Sequence, residues 1–333
     1  MPNYLKLIPE WLFEVIRGNP RRTARRHSTT PFLVIGHRGS PCVAIENTMA
    51  SFRRAVEQDG ANGLECDLCL TKDEQIVLWH DWDPDEPTAL LRASGLEPVV
   101  SYCPCPPDGG EFRRSICELT LAEVCTHFCY GEKDGDEKQR DCIPHLEELL
   151  DWVVGRRELA VLFFDIKVPA VCIDLVPVMM DGINKLLARY RPTSTLIFEC
   201  AEIEVLAAMK AHSPQHHYAL DIAPPPGIVL NPAAYSAVRS ALAYGNSYAT
   251  LARPRAVTLA PWTTHRRIVQ HDIRLLNRLQ RHTPAQPQPS IVSFTIDEEE
   301  ELHTLVRMGV AGIQTNRPHV LRKIADEMGV QLA

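Results

Sequence analysis

Two histidines, two cations and three carboxylates stand where an alternating strand–helix chain would bring them together. His37 and Arg38 follow the apolar run Leu33-Val34-Ile35-Gly36, Glu65 and Asp67 lie two apart in a second such run, and His80 and Asp81 follow Val77-Leu78-Trp79. Asp165 and Lys167 repeat the two-residue spacing after Leu162-Phe163-Phe164. Strand residues two apart point to the same side, so each pair presents its polar groups to one face. Glu65, Asp67 and Asp165 converging from two strands would make an oxygen-rich cage suited to a hard divalent cation, Mg²⁺ or Ca²⁺. Arg38 and Lys167 beside them would donate to phosphate oxygens. His37 and His80, on separate strand ends, are placed to act as general base and general acid. Together these groups point to cleavage of a phosphodiester. Taken singly, each has a plainer account: a histidine at a strand end bonds its neighbours, and closely spaced charges pair locally. Their joint placement at strand ends carries the reading.

The elements that must position these residues follow from the chain's periodicity. Strands are expected over 33–36, 64–69, 75–79, 159–166, 195–198, 217–221, 256–260, 290–296 and 311–314. Helices are expected over 47–58, 119–130, 146–150, 172–189, 202–211, 233–243, 267–281, 297–308 and 318–328. Glu46-Asn47-Thr48 supplies the start signal of the first helix, with Asn47 and Thr48 expected to cap and orient it. The alternation amounts to close to eight βα units and predicts a TIM (β/α)8 barrel. The rhythm breaks over residues 82–142, rich in Pro, Gly, Asp and Cys. At about sixty residues this insertion, after the third predicted strand, is too long for a plain connection and is expected to be a small subdomain or lid. The barrel is assigned to 31–333 and a separate N-terminal segment to 1–30.

Within that segment Leu5, Ile8, Trp11, Leu12, Val15 and Ile16 fall on helical spacing ahead of Arg21-Arg22-Thr23-Ala24-Arg25-Arg26. One reading is a membrane-surface helix with a basic collar over 3–26. The other, favoured by Glu10 and Glu14, is a helix packed on the body and a solvated linker.

The 333 residues carry a formal net charge of −7, which argues against a nucleic-acid partner. No apolar run is long enough to span a bilayer, and the first residues lack a signal-peptide pattern, so the expected location is cytoplasmic, with membrane contact limited to the periphery. Of 11 cysteines, Cys103, Cys105, Cys117, Cys125, Cys129 and Cys142 crowd into the insertion. They lack the paired spacing of a structural zinc site, and reduced thiols are expected. Cys66 and Cys69 form a CxxC inside a predicted strand, a poor setting for redox chemistry.

The sequence resembles the glycerophosphodiester phosphodiesterase family. The resemblance rests on His37-Arg38-Gly39, Glu46-Asn47-Thr48, Gly63-Leu64-Glu65-Cys66-Asp67, Val77-Leu78-Trp79-His80-Asp81, Ile143-Pro144-His145-Leu146-Glu147-Glu148 and Phe164-Asp165-Ile166-Lys167. It continues in Phe294-Thr295-Ile296-Asp297 and Gly312-Ile313-Gln314-Thr315-Asn316-Arg317-Pro318. It implies a TIM barrel hydrolase in which Glu65, Asp67 and Asp165 hold a divalent metal, Arg38 and Lys167 clamp the phosphate, and His37 and His80 are the acid–base pair, their individual parts left open. Glu46 is implied as a residue near the metal or the substrate. Two departures stand out. Asp165 replaces the family's usual Glu with a side chain one methylene shorter, and Phe294 replaces a usual Trp as an apolar pocket wall.

The resemblance implies hydrolysis of glycerophosphodiesters to glycerol 3-phosphate and an alcohol. Two other expectations compete with it. One is a lysophospholipase D-type enzyme acting on lysophospholipids; the other is a barrel without catalysis that serves as a binding module.

Overall fold

The computed structural model describes residues 31–133, 135, 137–139, 143–225, 231–253 and 261–333. The N-terminal helix and basic run expected over 3–26 lie outside them.

Eight parallel strands close into a barrel: β1 (Leu33–His37), β2 (Gly63–Leu70), β7 (Val161–Ile166), β8 (Thr195–Cys200), β9 (His217–Ile222), β10 (Tyr248–Ala252), β11 (Ser290–Phe294) and β12 (Gly312–Thr315). The ring shuts because β1 pairs with both β2 and β12. Helices follow the strands on the outside. α1 (Met49–Arg53) runs into a π-helical turn over Arg54–Gln58, and its N-cap is Thr48, whose hydroxyl accepts from the Ser51 N–H. α4 (Leu146–Val153), α5 (Leu175–Tyr190), α6 (Ile203–His212), α7 (Ala237–Tyr244), α8 (Pro261–His282), α9 (Glu299–Met308) and α10 (Pro318–Glu327) complete the outer layer.

Strand parity divides the interior into storeys. Leu33, Ile35, Val161, Phe163, Ile197, Ala219 and Val292 pack together as an apolar floor. One step further along the same inward faces come His37, Glu65, Asp67, Asp165, Glu199, Asp221 and Gln314. The register sets His37 against Glu65, Asp67 against Asp165, and Asp165 against Glu199. The polar storey therefore sits at the C-terminal ends of the strands, where a parallel barrel places its chemistry. The opposite faces of the strands bury Val34, Leu64, Cys66, Leu68, Phe164 and Phe198 against the helices.

Four sequence expectations change. The strand expected at 75–79 is β3 (Ile76–Leu78); it pairs antiparallel with the end of β2 and stands outside the barrel ring. The insertion holds a second helix, α2 (Pro87–Ala93), besides α3 (Leu121–His127). The helix expected over 119–130 stops at His127, because Cys129–Glu132 is a strand, β5, between β4 (Tyr102–Cys105) and β6 (Lys138–Gln139). The strand expected at 256–260 falls on residues outside those described, and the barrel strand is Tyr248–Ala252. Thr-Leu-Ala occurs at both 250–252 and 258–260, so short-range propensity does not choose between them.

The insertion docks through aromatic packing. Trp79 is 1% exposed and lies edge-on to Phe128 at 5.6 Å and tilted against Tyr130 at 5.0 Å. Cys103, Cys105, Cys117 and Cys129 there are free thiols.

Candidate active site

The loop from β1 to α1 is bent to serve the site. Arg38 and Asn47 both have positive φ, 53° and 55°, a conformation that needs surrounding support in residues with a side chain. Gly39 follows at φ 90°, and a Cβ there would sit 2.3 Å from Ser51 Oγ. Ser51 uses that approach: its hydroxyl donates to the Arg38 carbonyl at 2.9 Å and accepts from Ser40 N–H at 2.7 Å. The result turns the Arg38 N–H onto Glu65 Oε2 at 2.9 Å.

Glu65, Asp67 and Asp165 each offer an oxygen within 4.8 Å of the others. Lys167 Nζ lies 2.5 Å from Asp165 and 2.9 Å from Asp67, and Arg38 Nε lies 2.8 Å from Asp67. Burial alone would raise the Asp67 carboxyl, but Arg38 and Lys167 outweigh it and hold it well below the usual range. Glu65 moves the other way, raised by burial and by the neighbouring Asp67 charge. Asp165 is also raised, by burial that its bond to Lys167 only partly offsets. Glu65 Oε1 is buried without a hydrogen-bond partner among the described residues. An all-oxygen set with one orphaned carboxylate oxygen fits a hard divalent cation.

Asn47 does not supply the expected cap but holds Asp67. Its amide donates to Asp67 Oδ2 at 2.7 Å and its carbonyl accepts from the Asp67 N–H at 3.1 Å. It braces the central carboxylate, while Thr48 alone caps the helix.

His37 is 7% exposed and ends β1. A chain of donors and acceptors fixes its tautomer. Asp297 Oδ2 accepts from Asn316 Nδ2 at 2.9 Å, so Asn316 Oδ1 faces His37 Nδ1 at 2.8 Å and requires a proton there. The Nε2 lone pair is left facing Thr295 Oγ1 at 3.3 Å and Glu65 Oε2 at 3.9 Å. Burial, seconded by Arg38, pushes its pKa down from 6.5 to about 4. His80 follows β3, and its Nδ1 lies 2.6 Å from Asp81 Oδ1.

Glu46 is 2% exposed and stands outside the carboxylate trio. It accepts from Arg38 Nη1 at 2.8 Å and Tyr130 Oη at 3.3 Å, and pairs with Arg92. Phe294 closes β11 at the mouth face and is half-buried.

Sequence reasoning missed two groups. Arg92, Glu97 and Tyr130 reach the site from the insertion, with no local pattern to mark them. Glu199 and Asp221 stand beside Asp165 on the next strands round. Glu199 takes a hydrogen bond from Gln314 Nε2 at 3.0 Å. Burial raises both carboxyls, helped by Asp221 at Glu199 and by Asp165 at Asp221. Strand parity was the available signal: they fall on the inward positions in line with Ile197 and Ala219.

The pattern of the Glycerophosphoryl diester phosphodiesterase family matches residues 37–320, and the chain belongs to this family of phosphoric diester hydrolases. It is 24% identical over 304 residues to the glycerophosphodiester phosphodiesterase of Caldanaerobacter subterraneus subsp. tengcongensis, covering 89% of this chain and 99% of that one. It is 43% identical over 120 residues to Lysophospholipase D GDPD1 of Homo sapiens, covering 35% of this chain and 32% of that protein. Among solved structures, the Oleispira antarctica phosphodiesterase in complex with sn-glycerol-3-phosphate superposes with a TM-score of 0.61 at 21% identity, covering 89% of this chain and 97% of that one. The chain spans between about a fifth and a third of the length of several curated relatives that it matches.

Proposed function

We propose that the protein hydrolyses glycerophosphodiesters to glycerol 3-phosphate and an alcohol, with a divalent cation at Glu65, Asp67 and Asp165. The observation that carries this reading is the three-carboxylate cluster, ion-paired to Arg38 and Lys167, with His37 Nε2 3.9 Å from Glu65. A cation held there would neutralise phosphoryl oxygens and charge growing in the transition state. Arg38 and Lys167 bind the same phosphate and, with their positions fixed by Asp67, need little reorganisation.

His37 is the general base. Its Nδ1–H is committed to Asn316, and its depressed pKa keeps Nε2 unprotonated at neutral pH, ready to take the proton of the attacking hydroxyl as its oxygen bonds to phosphorus. That hydroxyl is either water, or the neighbouring glycerol hydroxyl with water opening the resulting cyclic phosphate afterwards. His80 is the general acid. With Asp81 on Nδ1, its other nitrogen is suited to carry a proton and deliver it to the leaving alcohol oxygen as the P–O bond breaks. The Oleispira antarctica relative, described in complex with the product sn-glycerol-3-phosphate, supports this product.

A second reading is a lysophospholipid substrate, supported by the 43% identity to the human lysophospholipase D over 120 residues. The test is a product assay on glycerophosphocholine and lysophosphatidylcholine, before and after chelation with EDTA. Activity should vanish on chelation and return with Mg²⁺ or Ca²⁺; an unchanged rate after chelation would sink the metal assignment. Preference for the acylated substrate would select the second reading. No turnover of either would return the non-catalytic barrel.

A further inference from the structure

The insertion reaches the acid–base machinery through one buried arginine. α2 turns Leu90 and Leu91 outward, 47% and 53% exposed, and Arg92 inward, 1% exposed. The Arg92 guanidinium meets three carboxylates. Nε lies 3.0 Å from Asp81 Oδ1, Nη1 lies 2.6 Å from Glu97 Oε2, and Nη2 pairs with Glu46 Oε1. Asp81 Oδ1 is the oxygen that His80 Nδ1 approaches at 2.6 Å. Glu46 in turn holds Arg38.

Geometry separates this arginine from a plain fastening. Asp81 lies directly after His80, on a loop that follows a three-residue strand outside the barrel ring. Among the described residues, no barrel strand supplies a hydrogen bond or ion pair to that carboxylate, which meets His80 and Arg92. Arg92 does so from one edge of a planar fork while its other nitrogens are held by Glu46 and Glu97, so the carboxylate and the imidazole beyond it are set together. A lysine offers one compact cation and cannot span the three carboxylates in this way. Removing the cation would leave Glu46 and Glu97 to share Arg38 and would strip Asp81 of its arginine partner in a site with little water to screen it.

We propose that Arg92 is a positioning residue for His80, acting through Asp81, so that the insertion governs proton delivery. This rests on the reading of His80 as the general acid. Groups that orient a working side chain from behind contribute about 10- to 100-fold when they are removed. The insertion's fit on the barrel thereby becomes a determinant of kcat.

The test is a double-mutant cycle of Arg92→Met and His80→Gln, with kcat and KM measured on glycerophosphocholine in excess Mg²⁺ or Ca²⁺ and folding checked by thermal denaturation. Residues that act as a unit give non-additive losses. Arg92→Met is expected to lower kcat about 10- to 100-fold with KM changed less than about threefold, and to cost about threefold or less in the His80→Gln background. Arg92→Lys, which keeps the charge without the fork, should fall between wild type and Arg92→Met; where the methionine variant does not fold, the lysine variant takes its place in the cycle. A near-wild-type kcat in a folded Arg92 variant, or the same fold-loss with and without His80, would overturn the proposal while leaving His80 as the acid. A wild-type kcat in His80→Gln would instead overturn the reading of His80, and the positioning role with it.

Discussion

His37 closes a barrel strand and is tied to the far end of the chain, through Asn316 and Asp297. His80 follows a three-residue strand that leans on the barrel from outside, and is tied to its sequence neighbour Asp81 and, beyond it, to the insertion. One imidazole has a neutral amide for a partner and an arginine next door; the other has a carboxylate. Burial and Arg38 keep the first unprotonated, down to about pH 4. On the proposed reading, the same side chain serves two opposite proton transfers in two different surroundings. The first set of surroundings belongs to the barrel, the second to the loop after β3 and the insertion.

The contrast is broken or upheld most directly by removing each imidazole and varying the leaving group. His37→Gln should lower kcat by about 10²- to 10⁴-fold whether the leaving group is choline or p-nitrophenol, because the base acts on the attacking hydroxyl in both cases. His80→Gln should lower it by about 10²-fold with choline, but by less than about 10-fold with p-nitrophenol, which leaves without needing a proton. If the leaving group matters for His37 and not for His80, the two roles are exchanged.

Protonation of His37 is also legible in stability. Its pKa of about 4 in the folded chain lies below the ordinary 6.5 that the unfolded chain would show. Above pH 6.5 the ring is neutral in both states and costs nothing. As pH falls from 6.5 to about 4 only the unfolded chain gains the proton, so stability is lost across that window and the loss is complete below it. At pH 4.5 the wild type should have lost roughly 2–3 kcal/mol relative to pH 7.5 through this group. Denaturant melts of metal-free wild type and His37→Gln at both pH values isolate the effect as a difference. Equal pH dependence in the two proteins would mean that His37 is not held neutral by burial.

Much of the barrel and half of the site were readable from the chain because both obey local rules. Period-two strands predict which residues face inward, so Glu65 with Asp67 and Asp165 with Lys167 could be paired from spacing alone. Resemblance added that they belong to one centre. What escaped depends on contacts between distant segments. Arg92 looks like an ordinary surface arginine between Leu91 and Ala93; only the folded insertion shows that the leucines are outside and the arginine inside. Asn47 reads as a capping residue, and its grip on Asp67 depends on the fold bringing β2 alongside the turn, which no local pattern announces. The expectation at 256–260 lies outside the described residues. The sixth barrel strand, Tyr248–Ala252, is picked out by pairing with β9 and β11, and the Thr-Leu-Ala shared by 250–252 and 258–260 carries no such information.

The smallest effect tests the neutral partner of His37. Asn316→Leu removes the acceptor at Nδ1 while Asp297 keeps its bonds from Thr315 Oγ1 and the Asn316 N–H. The imidazole then has no reason to prefer the Nδ1–H tautomer, and part of the population presents N–H, not a lone pair, to the attacking hydroxyl. Loss of tautomer choice and ring orientation together should lower kcat about 10-fold, less than loss of the base itself. The size of that loss should be the same with choline and with p-nitrophenol as leaving group, because Asn316 acts only through His37. A loss confined to the choline substrate would put Asn316 on the proton-donating side, and the division of the site into a barrel-held base and an insertion-held acid would not survive it.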